Sequence, residues 1–340
     1  MKTVFPPESL EIAGQTFILR DATVQDASDV LRLHRRVFGS EVDTGWFDWK
    51  YVIGEGEAVG LWGAEGLVAF CGGTPRWVWL HGQRLRCLQI GDVMVAPEWR
   101  GVLKRKNPFF LVSERFYHSR LGMGRDFAAG FGFPNVRHLQ LAVKTGLSWD
   151  AGTVAQWHWP VREAIRSRLG WPWRTRQIDG LSPDFDSLVN RAWDAMRWSR
   201  LDGILGERDA KYWRWRFVQR PDRQYRFVVL HSFWQRRPQG IAVFASPAQA
   251  QQSLHWLDWV GPPSLLPLAQ SAGLALAAKE GATGLDAWAS PAMAQWLACT
   301  AATASTKTAA GVGIPKASSL SGEQVESMNG WWTGGDTDFL

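Results

Sequence analysis

Cysteine is scarce in this chain: three residues in 340, at positions 71, 87 and 299, an odd number without the spacing of a metal site or a disulfide framework. Cys71, Cys87 and Cys299 are therefore expected to be buried free thiols in a reducing compartment. The seven histidines are scattered and form no HExxH-like cluster, so no metal site is expected. No run of eighteen or more apolar residues occurs, which excludes a hydrophobic spanning helix, and no membrane partner is expected. The opening MKTVFPPESLEIAGQTF has no apolar segment of the kind a secretory leader needs, and Pro6 and Pro7 break it. A cytoplasmic protein is expected. With 46% hydrophobic and 21% charged residues the chain reads as folded, not disordered.

Two things are abundant. The net charge of +6 suits an anionic partner such as a nucleotide or a phosphate. Arginines beside tryptophans, as in WPWRTR (Trp171 to Arg176), read first as guanidinium stems lying on aromatic surface, and a nucleic-acid partner is not expected. Tryptophan occurs 22 times. Most of these rings are expected to fill cores, with the alternative that some line a pocket for a bulky or sugar-like substrate.

The tryptophans also expose a repeat. WFDWKY (Trp46 to Tyr51) returns as YWRWRF (Tyr212 to Phe217), with Trp49 and Trp215 standing 166 positions apart. Asp92 in LQIGDVMV and Asp258 in LHWLDWVG share that spacing, whereas Pro134 and Pro291 are 157 apart. The second half has thus lost nine residues between its aspartate and its last helix; it lacks the stretch PEWRGVLKRKNP, in whose place stands GPPSLL (Gly261 to Leu266). A length of 340 residues suits two domains, expected at 1–165 and 166–340, in an oligomer no larger than a homodimer.

Within the first half, Thr16 to Ala22 reads as a strand. A helix follows, capped at Thr23, with Ala27, Val30, Leu31 and Phe38 on one face and Gly39 as its stop. Ala58 to Pro97 reads as successive strands turning at GAEG and HGQ. Asn107-Pro108 should open a helix ending near Gly122, Asp126 to Phe133 a short strand, and Pro134 to Thr145 a last helix closed by Gly146. Between strand and helix lies a loop with Arg100, Gly101, Lys104, Arg105 and Lys106. Free amides and the positive end of the dipole at a helix start favour phosphate, and the cations reinforce that. The same loop would equally serve as solvated basic surface.

VMVAPEWRG resembles the fourth strand and following loop of the GNAT superfamily of acyl-CoA N-acyltransferases, whose pattern there is Val-x-Pro-x-x-Arg-Gly-x-Gly-x-Gly. FPNVRHLQLAVKTGLSW resembles the second signature of that family, with Asn135 opening a helix and Gly146 eleven residues on. DWKY, FGFPN and the terminal WWTGGDTDF look like a bacterial subgroup with tandem members. The resemblance implies a mixed α/β fold with two tandem GNAT-like domains, the second degenerate, and a sheet that splays to admit acetyl-CoA or another acyl-CoA. Met94 and Val95 would pair with the pantetheine, backbone amides of Arg100, Gly101, Val102, Leu103, Lys104 and Arg105 would hold the pyrophosphate, and Asn135 would reach the pantetheine arm. The sequence departs from the pattern at Leu103 and Arg105, where glycines usually let phosphate approach. It departs again at Ala142, where many members carry a tyrosine that protonates the thiolate.

The implied reaction is direct attack of an amine on the thioester, with Asp92 as candidate base and Glu98 a weaker one. Asp258 matches Asp92 in the half that lacks the loop, so a structural role common to both is an equal reading. Tyr117 is an alternative acid. The expected acceptor is a small-molecule or sugar-like amine. The competing functions are a non-catalytic GNAT-like binding or regulatory protein and an aminoacyl-tRNA-dependent transferase.

Overall fold

The computed structural model describes residues 5–100, 107–162, 172–198, 203–234, 238–246, 252–297 and 304–338. The first half opens with the hairpin β1 (Glu8–Ile12) and β2 (Gln15–Asp21), helix α1 (Ala27–Phe38) and the short helix α2 (Thr44–Phe47). Strands β3 (Glu57–Gly63), β4 (Gly66–Leu80) and β5 (Gln83–Val95) follow, then α3 (Pro108–Arg120), β6 (Ala129–Gly132), α4 (Val136–Lys144) and β7 (Ser148–Pro160). The remainder runs β8 (Trp173–Ile178), α5 (Phe185–Trp198), β9 (Ile204–Gly206), α6 (Ala210–Trp213), β10 (Tyr225–Ser232), β11 (Pro238–Ala245) and β12 (Leu254–Val260). It ends with α7 (Leu266–Lys279), β13 (Gly284–Ala289), α8 (Pro291–Leu297), β14 (Ser305–Pro315), α9 (Gly322–Glu326) and β15 (Gly330–Trp331).

Two compact units result, and the chain visits each more than once. The first comprises Met1–Trp77, Leu85–Gly152 and Gly311–Ser327; the second comprises Val78–Arg84, Thr153–Ala310 and Met328–Leu340. The division expected between residues 165 and 166 falls within 163–171, outside the described residues.

The sheet of the first unit runs β1-β2-β3-β4-β5-β6-β14. Its β1–β2, β2–β3 and β3–β4 pairs are antiparallel, and β5–β6 is parallel. The expected strands and the turns at GAEG and HGQ are all present; the β1 hairpin strand is additional. Thr23 and Asp26 form a capping box ahead of α1, and Gly39 ends the helix with φ +69°. The buried face of α1 is Val30, Leu33 and His34; Phe38, expected inside, is exposed in the last turn. Phe17, Leu61, Val112 and Phe116 build the core. Beside it Arg120, itself buried, pairs with Asp21 at 2.9 Å and with Glu57. Cys71 and Cys87 are buried free thiols, burial pushing Cys87 up to about 12; Cys299 lies outside the described residues.

Arg20 joins strand to helix in this unit, donating to both carboxylate oxygens of Asp26 at 2.9 and 2.7 Å while its guanidinium lies 3.7 Å over the Trp62 ring. Partial burial opposes ionisation of Asp26, but the bonds from Arg20 and Thr23 outweigh it and hold the carboxyl below its ordinary 3.8. A depressed carboxyl contributes stability above its unfolded pKa and loses it as pH falls through the folded one. Arg20→Ala should therefore lower stability at neutral pH by up to about 1 kcal/mol for a partly screened pair. The deficit should shrink as pH falls below 3.8, which circular-dichroism unfolding at pH 7 and at successively lower pH would reveal.

The second unit has the sheet order β7-β13-β12-β11-β10-β8. Its core is rich in indole: Trp159, Trp193, Trp213, Trp256, Trp259 and Trp331, six of the 22 tryptophans, are buried there.

Both hexapeptides adopt one local design. Asp43 and Asp209, also 166 apart, cap one-turn α-helices by accepting from the amides of Trp46 (3.0 Å) and Tyr212 (2.8 Å). Each turn then widens into a π-helix, Asp48–Ile53 and Arg214–Val218. In the first of these, three successive side chains, Trp49, Lys50 and Tyr51, are buried.

Candidate functional site

The parallel β5–β6 ladder has four pairs, Cys87↔Ala129 to Ile90↔Gly132, and then ends. β5 continues through Gly91–Val95, while β6 leaves its partner through Phe133 and Pro134 into α4. Proline has no N–H to extend a ladder. On its other edge β5 stays attached, the Ala96 amide donating to the Val68 carbonyl at 2.8 Å. The sheet of the first unit therefore splays, with one lip at Gly91–Val95 and the other at Phe133–Asn135.

Asp92 stands at the head of this opening, half-buried, with φ +51°. Its Oδ2 accepts from the Tyr51 hydroxyl at 2.7 Å and pairs with the Lys50 ammonium. Lys50 is 1% exposed and lies 5.3 Å from the Trp46 ring centroid. The hexapeptide thus does more than pack: it delivers two donors to the aspartate. Nothing in the spacing of Lys50 and Asp92 announces that contact, which sequence reasoning missed.

Of the remaining expected residues, Met94 is buried and Val95 half-buried. The Val95 carbonyl accepts from Arg100 Nε at 3.0 Å, which folds the exposed Arg100 back over the strand end. Gly101, Val102, Leu103, Lys104 and Arg105 lie outside the described residues. Asn107 caps α3 as expected, accepting from the Phe110 amide at 2.7 Å. Asn135 caps α4, accepting from the His138 amide at 2.9 Å, and its Nδ2 lies 3.2 Å from His138 Nδ1. Burial, then the charges of Arg137 and Arg100, push His138 below its ordinary 6.5. The charge of Arg100 on one lip thus reaches His138 on the other, where the charge of Arg137 adds to it. The two arginines, of which only Arg100 was anticipated, suit an anion.

The acid–base alternatives are less well placed. Glu98 pairs with Arg36 at 2.7 Å and its own amide, then Arg36, hold it below the ordinary carboxyl value, making it a weak base. Ala142 is buried in the core, and Tyr117 is buried beside Phe116, burial raising its hydroxyl above the ordinary 10. A cavity of about 180 Å³ lies elsewhere in the unit, lined by Phe110, Glu114, Tyr117, His118, Thr145 and Lys316 among others, and of the expected catalytic and cofactor-binding residues only the alternative acid Tyr117 borders it. Among the described residues no group of three or more His, Cys, Asp or Glu could hold a metal ion, and no helix is long and apolar enough to cross a membrane.

The second unit repeats the splay and fills it. Its β12–β13 ladder ends at Trp256↔Ala287. Beyond that point Thr333 bridges Ala289, the Ser290 amide donates to the Trp332 carbonyl at 3.0 Å, and Gly335 lies against Asp258. Asp258 is 1% exposed and pairs with Arg208 Nε at 2.9 Å; Arg208 also pairs with Asp336. Burial raises the Asp258 carboxyl against the pull of Arg208, while Arg208, between two carboxylates, stays protonated. The second hexapeptide clamps the same terminal segment: the Tyr212 hydroxyl donates to the Gly335 carbonyl and Arg216 to the Thr337 carbonyl.

Residues 19–105 match the family described as "Acetyltransferase (GNAT) domain". No relative with a curated description matches the sequence. Among solved structures, the fold resembles a GCN5-related N-acetyltransferase from Anabaena variabilis, with a TM-score of 0.65 at 17% identity over 88% of this chain and 72% of that one. It also resembles a probable N-acyltransferase from Enterococcus faecalis, with a TM-score of 0.64 at 14% identity, covering 88% of this chain and 72% of the other. A third likeness is to Saccharomyces cerevisiae N-myristoyltransferase with bound myristoyl-CoA, with a TM-score of 0.57 at 12% identity over 91% of this chain and 84% of that one. At these identities the likeness is one of fold: mixed α/β, GNAT-like.

Proposed function

Because residues 19–105 belong to the acetyltransferase (GNAT) domain family, we propose that this protein is an acyl-CoA-dependent N-acyltransferase whose first unit holds the cofactor in the β5–β6 opening. The observation that carries the reading is the contrast between two like openings, one with no ladder pair beyond Ile90↔Gly132 and the other occupied by the chain's own Thr333–Asp336. The units read as copies of one ancestor, the second retained as support. In the first, the β5 backbone would receive the pantetheine, and Arg100, Arg137 and His138 would meet the phosphates. A neutral amine attacks the thioester carbonyl; the C–N bond forms, the C–S bond breaks, and the thiolate leaves, taking a proton from water in the absence of a tyrosine at position 142. The ammonium proton is released at the Asp92 end. Acetyl-CoA is the first cofactor to test, and a small amine the acceptor class.

Titration calorimetry tests this directly. Acetyl-CoA or a longer acyl-CoA should bind, and Arg100→Ala with Arg137→Ala should cost about 1.5–3 kcal/mol, roughly ten- to hundredfold in Kd. An anion at His138 offsets the neighbouring positive charge and raises its pKa, so binding should take up protons below pH 6.5. Buffers of different ionisation enthalpy would show that uptake. Absence of acyl-CoA binding overturns the proposal. The buried Ala142, and a Tyr117 that borders a cavity away from the opening, favour one other reading, a binding protein without turnover; acyl-CoA binding without product across an amine panel would select it.

A further inference from the structure

Four non-glycine residues among those described have positive φ: Ala13, Glu55, His81 and Asp92. The first three lie in turns or loops, whereas Asp92 lies inside a continuous strand, two residues beyond the last β5–β6 pair. A left-handed residue within a strand breaks the alternation of its amides and re-aims those on either side. Such strain persists only where surrounding groups over-determine it. Here the over-determining groups are Lys50 and Tyr51, both buried, which converge on Asp92 Oδ2. Tyr51 is itself seated, its hydroxyl lying where a Cβ at Gly72 would come within 2.5 Å.

The second unit supplies the internal comparison. At the positions 166 residues on, Arg216 donates to the Thr337 carbonyl and the Tyr225 hydroxyl, Phe217 has no hydroxyl, and Asp258 is not among the positive-φ residues. The lock is present where the splay is open and absent where the chain fills it.

We infer that Lys50 and Tyr51 are positioning residues for acyl transfer: by holding the Asp92 carboxylate they fix the left-handed bend that turns the β5 amides at Gly91–Val93 toward the opening, where the thioester oxygen would sit. This rests on the acyltransferase reading, and it gives Asp92 the role of a strut, with solvent taking the ammonium proton. Loss of the Asp92 carboxylate is common to Asp92→Gly and Asp92→Ala, so the difference between them isolates the backbone, since glycine adopts positive φ freely.

The test is steady-state kinetics on the full chain with acetyl-CoA and an amine that the wild type turns over, beside calorimetric acetyl-CoA binding. Asp92→Gly should keep at least ten times the kcat of Asp92→Ala. Lys50→Met and Tyr51→Phe should each lower kcat tenfold or more, with acetyl-CoA affinity within threefold of wild type. Adding Lys50→Met to Asp92→Gly should cause no further loss. If Lys50→Met fails to fold, Tyr51→Phe, which removes one hydroxyl, carries the same comparison. Equal inactivity of the glycine and alanine variants, with the acidic limb of the pH–rate profile gone, would make Asp92 the base and overturn the inference. So would an undiminished effect of Lys50→Met or Tyr51→Phe in the glycine background. A wild type that binds no acetyl-CoA indicts the functional reading itself, and a wild type that binds it without turnover removes any role in acyl transfer.

Discussion

Arg208→Ala is expected to lower the unfolding free energy by about 3–5 kcal/mol, because removing one member of a buried ionic group leaves the others uncompensated. Arg208 and both of its carboxylate partners have fully buried side chains. Its fork also donates to the Gly206 carbonyl at 2.8 Å and the Thr333 hydroxyl at 3.2 Å. Without it, two carboxylates face each other in the dry opening of the second unit. Arg208→Lys should recover only part of the loss, since an ammonium is a point charge and cannot span the acceptors as a planar fork does. The pH dependence has a definite sign. Burial already raises Asp258; loss of the cation raises it further. A folded-state pKa above the unfolded value adds stability at low pH and loses it as pH rises. The deficit should therefore be smaller at pH 5 than at pH 8. Urea unfolding at both pH values decides the matter, and a cost below about 1 kcal/mol at pH 8 would show that the charges are solvated.

Trp331→Ala should cost a similar amount, about 3–5 kcal/mol, the usual range for deleting a buried indole. Trp331 is 0% exposed, in the second unit's core, and its backbone pairs with Leu205 of β9. Trp234→Ala, at a site 67% exposed, provides the control and should change stability by no more than about 0.5 kcal/mol. The double variant with Arg208→Ala should lose less than the sum, because both residues hold one segment and its release is counted once. Full additivity in differential scanning calorimetry would mean that the segment does not detach as a unit.

Much of the scaffold was legible because short-range chemistry dictates it. Asn107-Pro108 and Asn135 announce helix starts through their capping oxygens, and each cap is observed. The spacing of 166 between tryptophans and aspartates reappears in the capping aspartates Asp43 and Asp209, which sequence reasoning had not singled out. Other features needed the third dimension. Apolar periodicity placed Phe38 inside, but the last turn of α1 leaves it exposed. The pairing of Lys50 with Asp92 joins a π-helix to a strand 42 positions on, and neither has a propensity signal for the other. The terminal WWTGGDTDF looked like a family ending; only the fold places Thr333 and Gly335 against Asp258.

That last placement carries a consequence for measurement. The Thr333–Asp336 segment is tethered to the cleft it fills, so it acts at an effective concentration that a dissolved competitor at micromolar levels does not approach. The second unit is in this sense permanently liganded by its own chain. If the first unit binds acyl-CoA as proposed, the expected stoichiometry is one per polypeptide, and a binding isotherm should show no second phase.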